Sequence, residues 1–349
     1  MAHELDFSTG RAAIALRGGA ASAWHGFGEA IEDGDTLADI TRKAGLDWSA
    51  HKAPVTYRTA DGVERGFRGV SVVYRDDTGE ALGTASDARY TIHQPREIVE
   101  FFRDFLRAEG LSIETAGALR GGRVVWVLAN LGPDFRHLGP GGDDTQGYVR
   151  LQTSFDGSRA SSLVGTSIRQ VCANTETMIE RATGARQYRQ SHASGALDAR
   201  GLAAAFGLLG DQWRITCDAW TAMQARRVSD EEAREFFCRV AGIDPADIGR
   251  RDAVTGEPVV SAKALNGLQA LADAYRNGPG AQLPGARATA YGLLNAVTYY
   301  ADHAATVRDT YGDGKHVARL ASAWEGTGAA MKERAREFAA ELAGVKLAA

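Results

Sequence analysis

The sequence changes character at Leu197, and this change limits the folds open to the chain. Before it, turns centred on glycine and aspartate separate short runs rich in β-branched and aromatic residues, which is typical of antiparallel hairpins. After it, an alanine-rich pattern continues at helical spacing. We therefore predict an α+β fold, with hairpins and a packed helix in the N-terminal part and helices in the C-terminal part.

The same change divides the chain into segments. We predict an N-terminal arm over residues 1–34, an α+β core domain over residues 35–196 and a helical domain over residues 197–349. With 349 residues, 44% of them apolar, the chain has the length for about two domains with sizeable cores.

Local signals place the individual elements. Thr36, with Asp39 three residues later, predicts the start of a short helix. Hairpin turns are predicted at residues 61–62, 76–79, 120–123 and 156–157. Residues 132–147, rich in glycine, are predicted as a loop. Further helices are predicted near residues 98–108, 198–227, 230–242, 261–276, 287–309 and 317–345.

Composition excludes some classes of protein. A net charge of −4 argues against a protein that coats nucleic acid over its whole surface, but it leaves room for a local basic patch. The three cysteines form no CxxC pair, so neither a disulfide framework nor a zinc knuckle is predicted. Acids occupy the N-terminus, and no apolar run approaches the roughly 18 residues of a membrane span. We expect a cytoplasmic protein without membrane contact.

A local basic patch is indicated over residues 148–189, where six arginines stand against three acids. This segment is predicted as a strand, a turn at residues 156–157, a second strand ending at Arg169, and a helix entered through residues 172–175. Arg150 occupies the polar phase of the first strand, so we expect that phase to face outward.

Arginines on hairpin tips and on polar strand phases, beside aromatic rings, suggest a groove that follows a phosphate backbone. The structural alternative for the arginines is a solvated face with scattered ion pairs. The structural alternative for Trp24 is a packing anchor, which is the more common role of a tryptophan among glycines. The candidate nucleic-acid-binding residues are Trp24, Arg120, Arg123, Tyr148, Arg150, Arg159 and Arg169, with Phe155 and Tyr188 as further stacking surfaces.

A second candidate site is a pocket at Cys172, Asn174 and His303. A helix N-terminus at Cys172 would lower the pKa of a thiol and make it nucleophilic, whereas a buried structural cysteine is the more common case. The histidines lack metal-binding spacings, and the glycine pairs match no nucleotide fingerprint. Adjacent Asp143 and Asp144 are interpreted as solvating acids. No catalytic residue, metal or cofactor is predicted, and a non-enzymatic role is favoured with enzymatic activity left open.

Four motifs in order carry a resemblance to a known family. They are AWHGFG at residues 23–28, AGALRGGR at 116–123, SIRQVCANT at 167–175 and AYGLLNAVTYYADH at 290–303. The chain resembles the phage/plasmid-like protein family of unknown function, domain-of-unknown-function 932. The resemblance implies a setting in phages, plasmids and integrated elements, and it supplies no activity or catalytic residues. The architecture alone is also similar to the core of Rad52-type single-strand annealing proteins.

These observations lead to a hypothesis with two alternatives. We expect an accessory protein that binds single-stranded DNA in annealing or recombination, and a homo-oligomer, since binding along a strand is commonly cooperative. The first alternative is an enzyme or a host-defence-modifying factor with its site at the second candidate pocket. The second is a protein-interaction module with an exposed apolar patch on residues 261–345.

Overall fold

The computed structural model describes residues 6, 8–17, 28–157, 160–169, 171, 174–177, 188–308, 319, 322–323 and 326–345. The chain forms two compact units, each made of segments distant in sequence. Unit 1 comprises Met1–Gly132, Tyr148–Gly165 and Arg186–Leu209. Unit 2 comprises Pro133–Gly147, Thr166–Ala185 and Gly210–Ala349.

The elements confirm the predicted α+β class, with the sheets in the N-terminal part and helices in the C-terminal part. The strands are β1 (Ile14–Arg17), β2 (Glu29–Ile31), β3 (Ala50–Arg58), β4 (Glu64–Arg75), β5 (Ala81–Ser86), β6 (Ile113–Leu119), β7 (Val124–Asn130), β8 (Arg136–Gly139), β9 (Asp143–Ser154), β10 (Ser161–Arg169), β11 (Asn174–Thr177) and β12 (Tyr188–Gln190). The α-helices are α1 (Leu37–Lys43), α2 (Pro95–Ala108), α3 (Ala199–Gly207), α4 (Leu209–Ala225), α5 (Asp230–Ala241), α6 (Ala262–Asn277), α7 (Ala290–Tyr299) and α8 (Thr327–Leu342).

The larger sheet of unit 1 runs in the order β10, β9, β7, β6, β1 and β2, and β12 also pairs with β10. Helix α2 packs against β6 and β7. Its apolar residues recur at helical spacing, and Ile98, Phe102 and Leu106 are completely buried. Trp126 of β7 is also fully buried, so the core of unit 1 lies between α2 and this sheet.

Two predicted helix starts in unit 1 have clear local causes. Thr36 caps α1 through the backbone N–H of Asp39, whose carboxylate accepts from the backbone N–H of Thr36. Helix α2 begins at Pro95, where a missing N–H costs nothing. The preceding Gln94 side chain also exchanges hydrogen bonds with the backbone N–H and carbonyl of Ala50, at 2.8 and 2.9 Å, which fixes α2 to β3.

A second sheet in unit 1 contains β3, β4 and β5, with the predicted turns at residues 61–62 and 76–79 confirmed. The β3–β4 register shifts after Pro54, so that Pro54 pairs with Ser71 and Val55 with Phe67. This bulge divides β4 into an inner part, which also pairs with β5, and an outer part, which pairs with β3 alone.

Unit 2 contains the predicted helices as α4 to α8. Ser229 and Glu232 form the predicted capping box of α5, and Ser261 caps α6. Rings of Trp213, Trp220 and Tyr291 meet edge to face in its core, with centroids 5.7 and 6.4 Å apart.

Four sequence predictions differ from the structure. Residues 132–147 are not a loop: β8 pairs with the start of β9 across a turn in which Gly141 and Gly142 have φ of 82° and 78°. Asn174–Thr177 does not begin a helix and instead forms β11, antiparallel to β10. The helix predicted over 198–227 is interrupted at Leu208, after Gly207, which gives α3 and α4. Finally, α7 becomes a π-helical turn at Tyr300–Ala304.

Candidate functional site

The polar phase of β9 and β10 does not face solvent, contrary to the sequence prediction. Arg150, Arg169 and Tyr148 are 7%, 3% and 6% exposed. Strand β9 lies between β7 and β10, and its residues 147–154 are buried on both faces. Alternation of polar and apolar residues indicates an exposed face only where nothing covers the strand, and here both faces are covered.

Arg169 is held by an acid from the neighbouring part of unit 2. Its Nε and Nη2 donate to the two carboxylate oxygens of Asp143, at 2.7 and 2.6 Å, and Nη2 also donates to the carbonyl of Gly280. The guanidinium lies 5.6 Å from the ring centre of Tyr291, and burial raises the pKa of that phenol. This bidentate pair binds parts of unit 2 to each other, so Asp143 is a structural acid and not a solvating one.

The turn at residues 120–123 also packs onto the protein. Arg120 has φ of 55°, and the Nε of Arg123 donates to the carbonyl of Leu82 at 3.1 Å. The carbonyl of Gly121 accepts from the buried guanidinium of Arg75, at 3.2 Å. Arg120 and Arg123 are half-buried. These contacts hold the main chain of the turn in place. That Arg120 and Arg123 contact the phosphates of a nucleic acid stays a prediction.

Several predicted site residues lie outside the described residues: Trp24, Arg159 and Cys172. Of the second candidate pocket, Asn174 pairs with Arg169 through the β10–β11 ladder. His303 is exposed on the π-helical turn, with its ring 5.0 Å from that of Tyr299. A pocket formed by Cys172, Asn174 and His303 therefore stays a prediction.

The two cysteines that the structure describes are free thiols. Burial, with a smaller contribution from Asp218, raises the pKa of Cys217 to about 12. Burial also raises the pKa of Cys238. Because the thiolate is the nucleophile, a raised pKa disfavours the reactive form of both side chains.

The outer part of the β3–β4 hairpin exposes aromatic side chains. Tyr57 and Phe67 are 48% and 55% exposed. The pairing of β4 with β5 begins at Val70, so residues 55–67 form a hairpin that has no third strand beside it in the part of the chain that the structure describes. An isolated two-stranded hairpin is only marginally stable in water. This arrangement suits a contact surface better than a part of the core.

The rings of this hairpin share one face. Residues paired across an antiparallel ladder project to the same side, and so do alternate residues of a strand. Phe67 pairs with Val55, which lies two residues before Tyr57 on β3, so Phe67 and Tyr57 project to the same side. Further inward, alternate residues of β3 lead to His51. The ring of His51 lies 5.8 Å from that of its partner Tyr74. We refer to these four rings, His51, Tyr57, Phe67 and Tyr74, as the ring ladder. Arg65 pairs with Tyr57 and lies on the same face.

Positive charge accompanies the ring ladder. Three exposed arginines of the hairpin form no ion pair with any residue that the structure describes: Arg58, Arg65 and Arg68. The acids of the hairpin are Asp61 and Glu64. A hydrogen bond from the Thr59 hydroxyl lowers the pKa of Asp61, at the tip of the turn. The arginines therefore remain available to an anionic partner, and Arg65 is the one beside the rings.

The structure also bears on metal and membrane sites. Among the described residues, no group of three or more His, Cys, Asp or Glu side chains could hold a metal ion. Within the same ranges, no helix combines the length and the apolar character needed to span a membrane. In the described part of residues 261–345, Leu265 is the large apolar side chain that is exposed, at 38%. A single residue of this kind does not make an apolar patch.

Comparison with known proteins gives one match. The sequence model of a family described as a domain of unknown function (DUF932) matches residues 81–324. The chain belongs to this family. No curated protein and no solved structure matches it. The DUF932 match covers β5 to the segment before α8, and the ring ladder lies before it in the sequence.

Proposed function

We propose that the protein binds single-stranded DNA, and that the ring ladder of β3 and β4 is the surface that stacks the bases. The observation that carries this proposal is the exposure of Tyr57 and Phe67 on one face of a two-stranded hairpin, beside Arg65. Proteins that bind single strands combine aromatic platforms with positive charge along the backbone. The ring ladder has both features within one face.

The ladder also favours a single strand over a duplex. Only unpaired bases offer their faces to stacking, whereas the bases of a duplex stack on one another. The distance from His51 to Tyr57 along β3 is about 20 Å at roughly 3.3 Å per residue, which is enough for several unstacked bases. The mildly acidic net charge agrees with binding limited to one surface.

The setting of the proposal comes from the sequence. The resemblance to a phage/plasmid-like family suggests an accessory role on mobile DNA, in annealing or recombination. Binding along a strand is commonly cooperative, so we expect several copies of the chain on one oligonucleotide. The likeness to Rad52-type proteins is an analogy of architecture and adds no residue to the site.

Fluorescence anisotropy with a labelled single-stranded oligonucleotide at low salt tests the proposal. We expect Tyr57→Ala and Phe67→Ala each to weaken binding by about 1–3 kcal/mol, at least about fivefold, because each removes one stacking surface. Raising the salt should weaken binding further, since phosphate contacts release counterions.

Two matched controls separate the ring ladder from general charge. Arg65→Glu lies on the ladder face, whereas Arg58→Glu lies on the other face of the same hairpin. We expect the first to weaken binding more than the second. Val254→Ala, at a residue 93% exposed in unit 2, should leave binding unchanged. Absence of binding at low salt, or equal binding by the wild type and the Tyr57→Ala/Phe67→Ala variant, would contradict the proposal.

A further inference from the structure

Unit 1 contains an open cleft of about 530 Å³. It lies between the segment that follows β5, the turn after β9 and the end of β12, and its walls include Arg89, Tyr90, Arg189 and His192. This volume is within the range of roughly 300–1,000 Å³ that is usual for sites of small ligands. None of the ring-ladder residues lines the cleft, so it is a separate site.

The charge around the cleft is mainly positive. Arg89 and Arg189 are exposed on its walls, and neither forms an ion pair with a described residue. The Nζ atom of Lys52 lies 5.9 Å from the ring centre of Tyr90. Burial, and to a lesser degree the carboxylate of Asp156, raise the pKa of Tyr90, so its phenol stays neutral. Both charged residues that line the cleft are thus arginines, and a third cation lies against the ring of Tyr90.

Aromatic rings stack from the wall of the cleft into the protein. The ring of His192 lies 4.5 Å from that of Tyr90 and 4.8 Å from that of His93, with interplanar angles of 17° and 29°. His93 and His192 are 3% and 5% exposed. The phenol of Tyr90 donates to the carbonyl of Ser154 at 2.7 Å, which fixes the outer ring of the stack.

In each histidine, one ring nitrogen faces a backbone carbonyl oxygen, which decides whether that nitrogen donates or accepts a hydrogen bond. Nδ1 of His192 lies 2.9 Å from the carbonyl oxygen of Thr91, and Nε2 of His93 lies 2.8 Å from that of Gly195. A carbonyl oxygen only accepts, so each of these nitrogens carries a proton and donates it.

The other two nitrogens are joined through two buried hydroxyls. Nδ1 of His93 lies 3.0 Å from Oγ of Ser161, Ser161 lies 2.9 Å from Oγ1 of Thr153, and Thr153 lies 3.3 Å from Nε2 of His192. These contacts hold the two rings of the histidine pair in place from their inner side.

We propose that this cleft binds a phosphate monoester, with Arg89 and Arg189 on the phosphate oxygens beside the Tyr90–His192 stack. Arginine matches phosphate geometry with two parallel donors. A dianionic phosphate suits two guanidinium groups better than a carboxylate with a single charge does. Nothing in the proposed binding of single strands by the ring ladder requires this site.

Isothermal titration with adenosine 5′-monophosphate, and with adenosine as the comparison, tests the proposal. We expect the nucleotide to bind and adenosine not to bind. Arg89→Ala combined with Arg189→Ala should weaken nucleotide binding about tenfold or more, because each charge-assisted hydrogen bond is lost. Arg58→Ala, which removes an exposed arginine away from the cleft, should change nothing. Equal affinity for nucleotide and nucleoside, or no effect of the double variant, would overturn the proposal.

A second set of titrations distinguishes a free nucleotide from the end of a strand. In the Tyr57→Ala/Phe67→Ala background, where the ring ladder is removed, we compare an oligonucleotide bearing a 5′-phosphate with its 5′-hydroxyl counterpart. Binding that depends on the 5′-phosphate identifies the strand end as the source of the monoester. If neither the mononucleotide nor the 5′-phosphate binds, the site does not exist, whatever the ring ladder does.

Discussion

Two hairpins of this protein are alike in sequence and opposite in structure. The β3–β4 hairpin and the β9–β10 hairpin both combine arginines with aromatic residues around a turn that contains Asp-Gly. In the first, Phe67 is 55% exposed beyond the bulge. In the second, Phe155 is completely buried next to the turn. The difference lies in what is beside each hairpin, because β9 has β7 and β10 as neighbours whereas the outer part of β4 has β3 alone.

Arginines therefore have different roles in the two hairpins. Arg169 satisfies a buried acid and holds unit 2 together, whereas Arg65 extends into solvent beside Tyr57. The Nε–Nη2 edge of Arg169 is already occupied by the carboxylate of Asp143, so that edge cannot bind a phosphate in the same bidentate geometry. The proposed DNA-binding surface is therefore the hairpin whose outer part pairs, among the described residues, with no third strand.

The largest effect that we expect from this comparison concerns the two phenylalanines. Phe155→Ala should destabilise the protein by about 3–5 kcal/mol, because it leaves a cavity in contact with Trp48, whose ring centre lies 5.3 Å away. Phe67→Ala should change stability by no more than about 0.5 kcal/mol, since more than half of this residue is already exposed to water. Urea unfolding of both variants measures the difference. A similar loss for both would mean that the outer hairpin is packed in solution, which would break the comparison.

The buried ion pair is the next test. Asp143→Ala should cost about 3–5 kcal/mol, because it leaves the guanidinium of Arg169 buried without its carboxylate. Asp143→Leu combined with Arg169→Met should recover much of this loss, since neither charge then remains.

The matched control is the more exposed pair between β8 and β9, Arg136 with Asp144 at 2.8 Å. Asp144→Ala should cost less than about 1 kcal/mol, as surface ion pairs do. If Asp143→Ala and Asp144→Ala had equal effects on the unfolding midpoint, burial would not be what distinguishes the two pairs.

What could be predicted from the sequence follows a physical division. Thr36 caps a helix and Asp61-Gly62 makes a turn through interactions within a few residues. Both features could therefore be predicted from the sequence. The burial of Arg150 and Arg169 depends on strands paired from elsewhere in the chain, which an alternating pattern does not specify. The prediction of a loop over residues 132–147 was wrong for a related reason. Glycine is common both in loops and in tight hairpin turns, so the glycines alone did not distinguish the two.

The candidate sites divide in the same way. The sequence indicated the hairpin around residues 61–62, but nothing in it showed that Tyr57 and Phe67 would remain uncovered. The His93–His192 stack joins residues about a hundred positions apart, and neither histidine has a motif around it. Such a site depends wholly on tertiary contacts, and Arg189, at the end of the basic segment 148–189, was its closest sequence signal.

The smallest expected effect compares the two turns themselves. Gly62 and Gly157 have φ of 85° and 74°, so alanine at either position costs about 1 kcal/mol of backbone strain. A Cβ at Gly62 would meet nothing within 4 Å, whereas one at Gly157 would lie 3.3 Å from the carbonyl oxygen of Thr84. Gly157→Ala should therefore lower the unfolding midpoint slightly more than Gly62→Ala. Because the backbone cost is shared, the remaining difference measures how closely each turn is packed, and a larger loss at Gly62 would show that the outer hairpin has a neighbour after all.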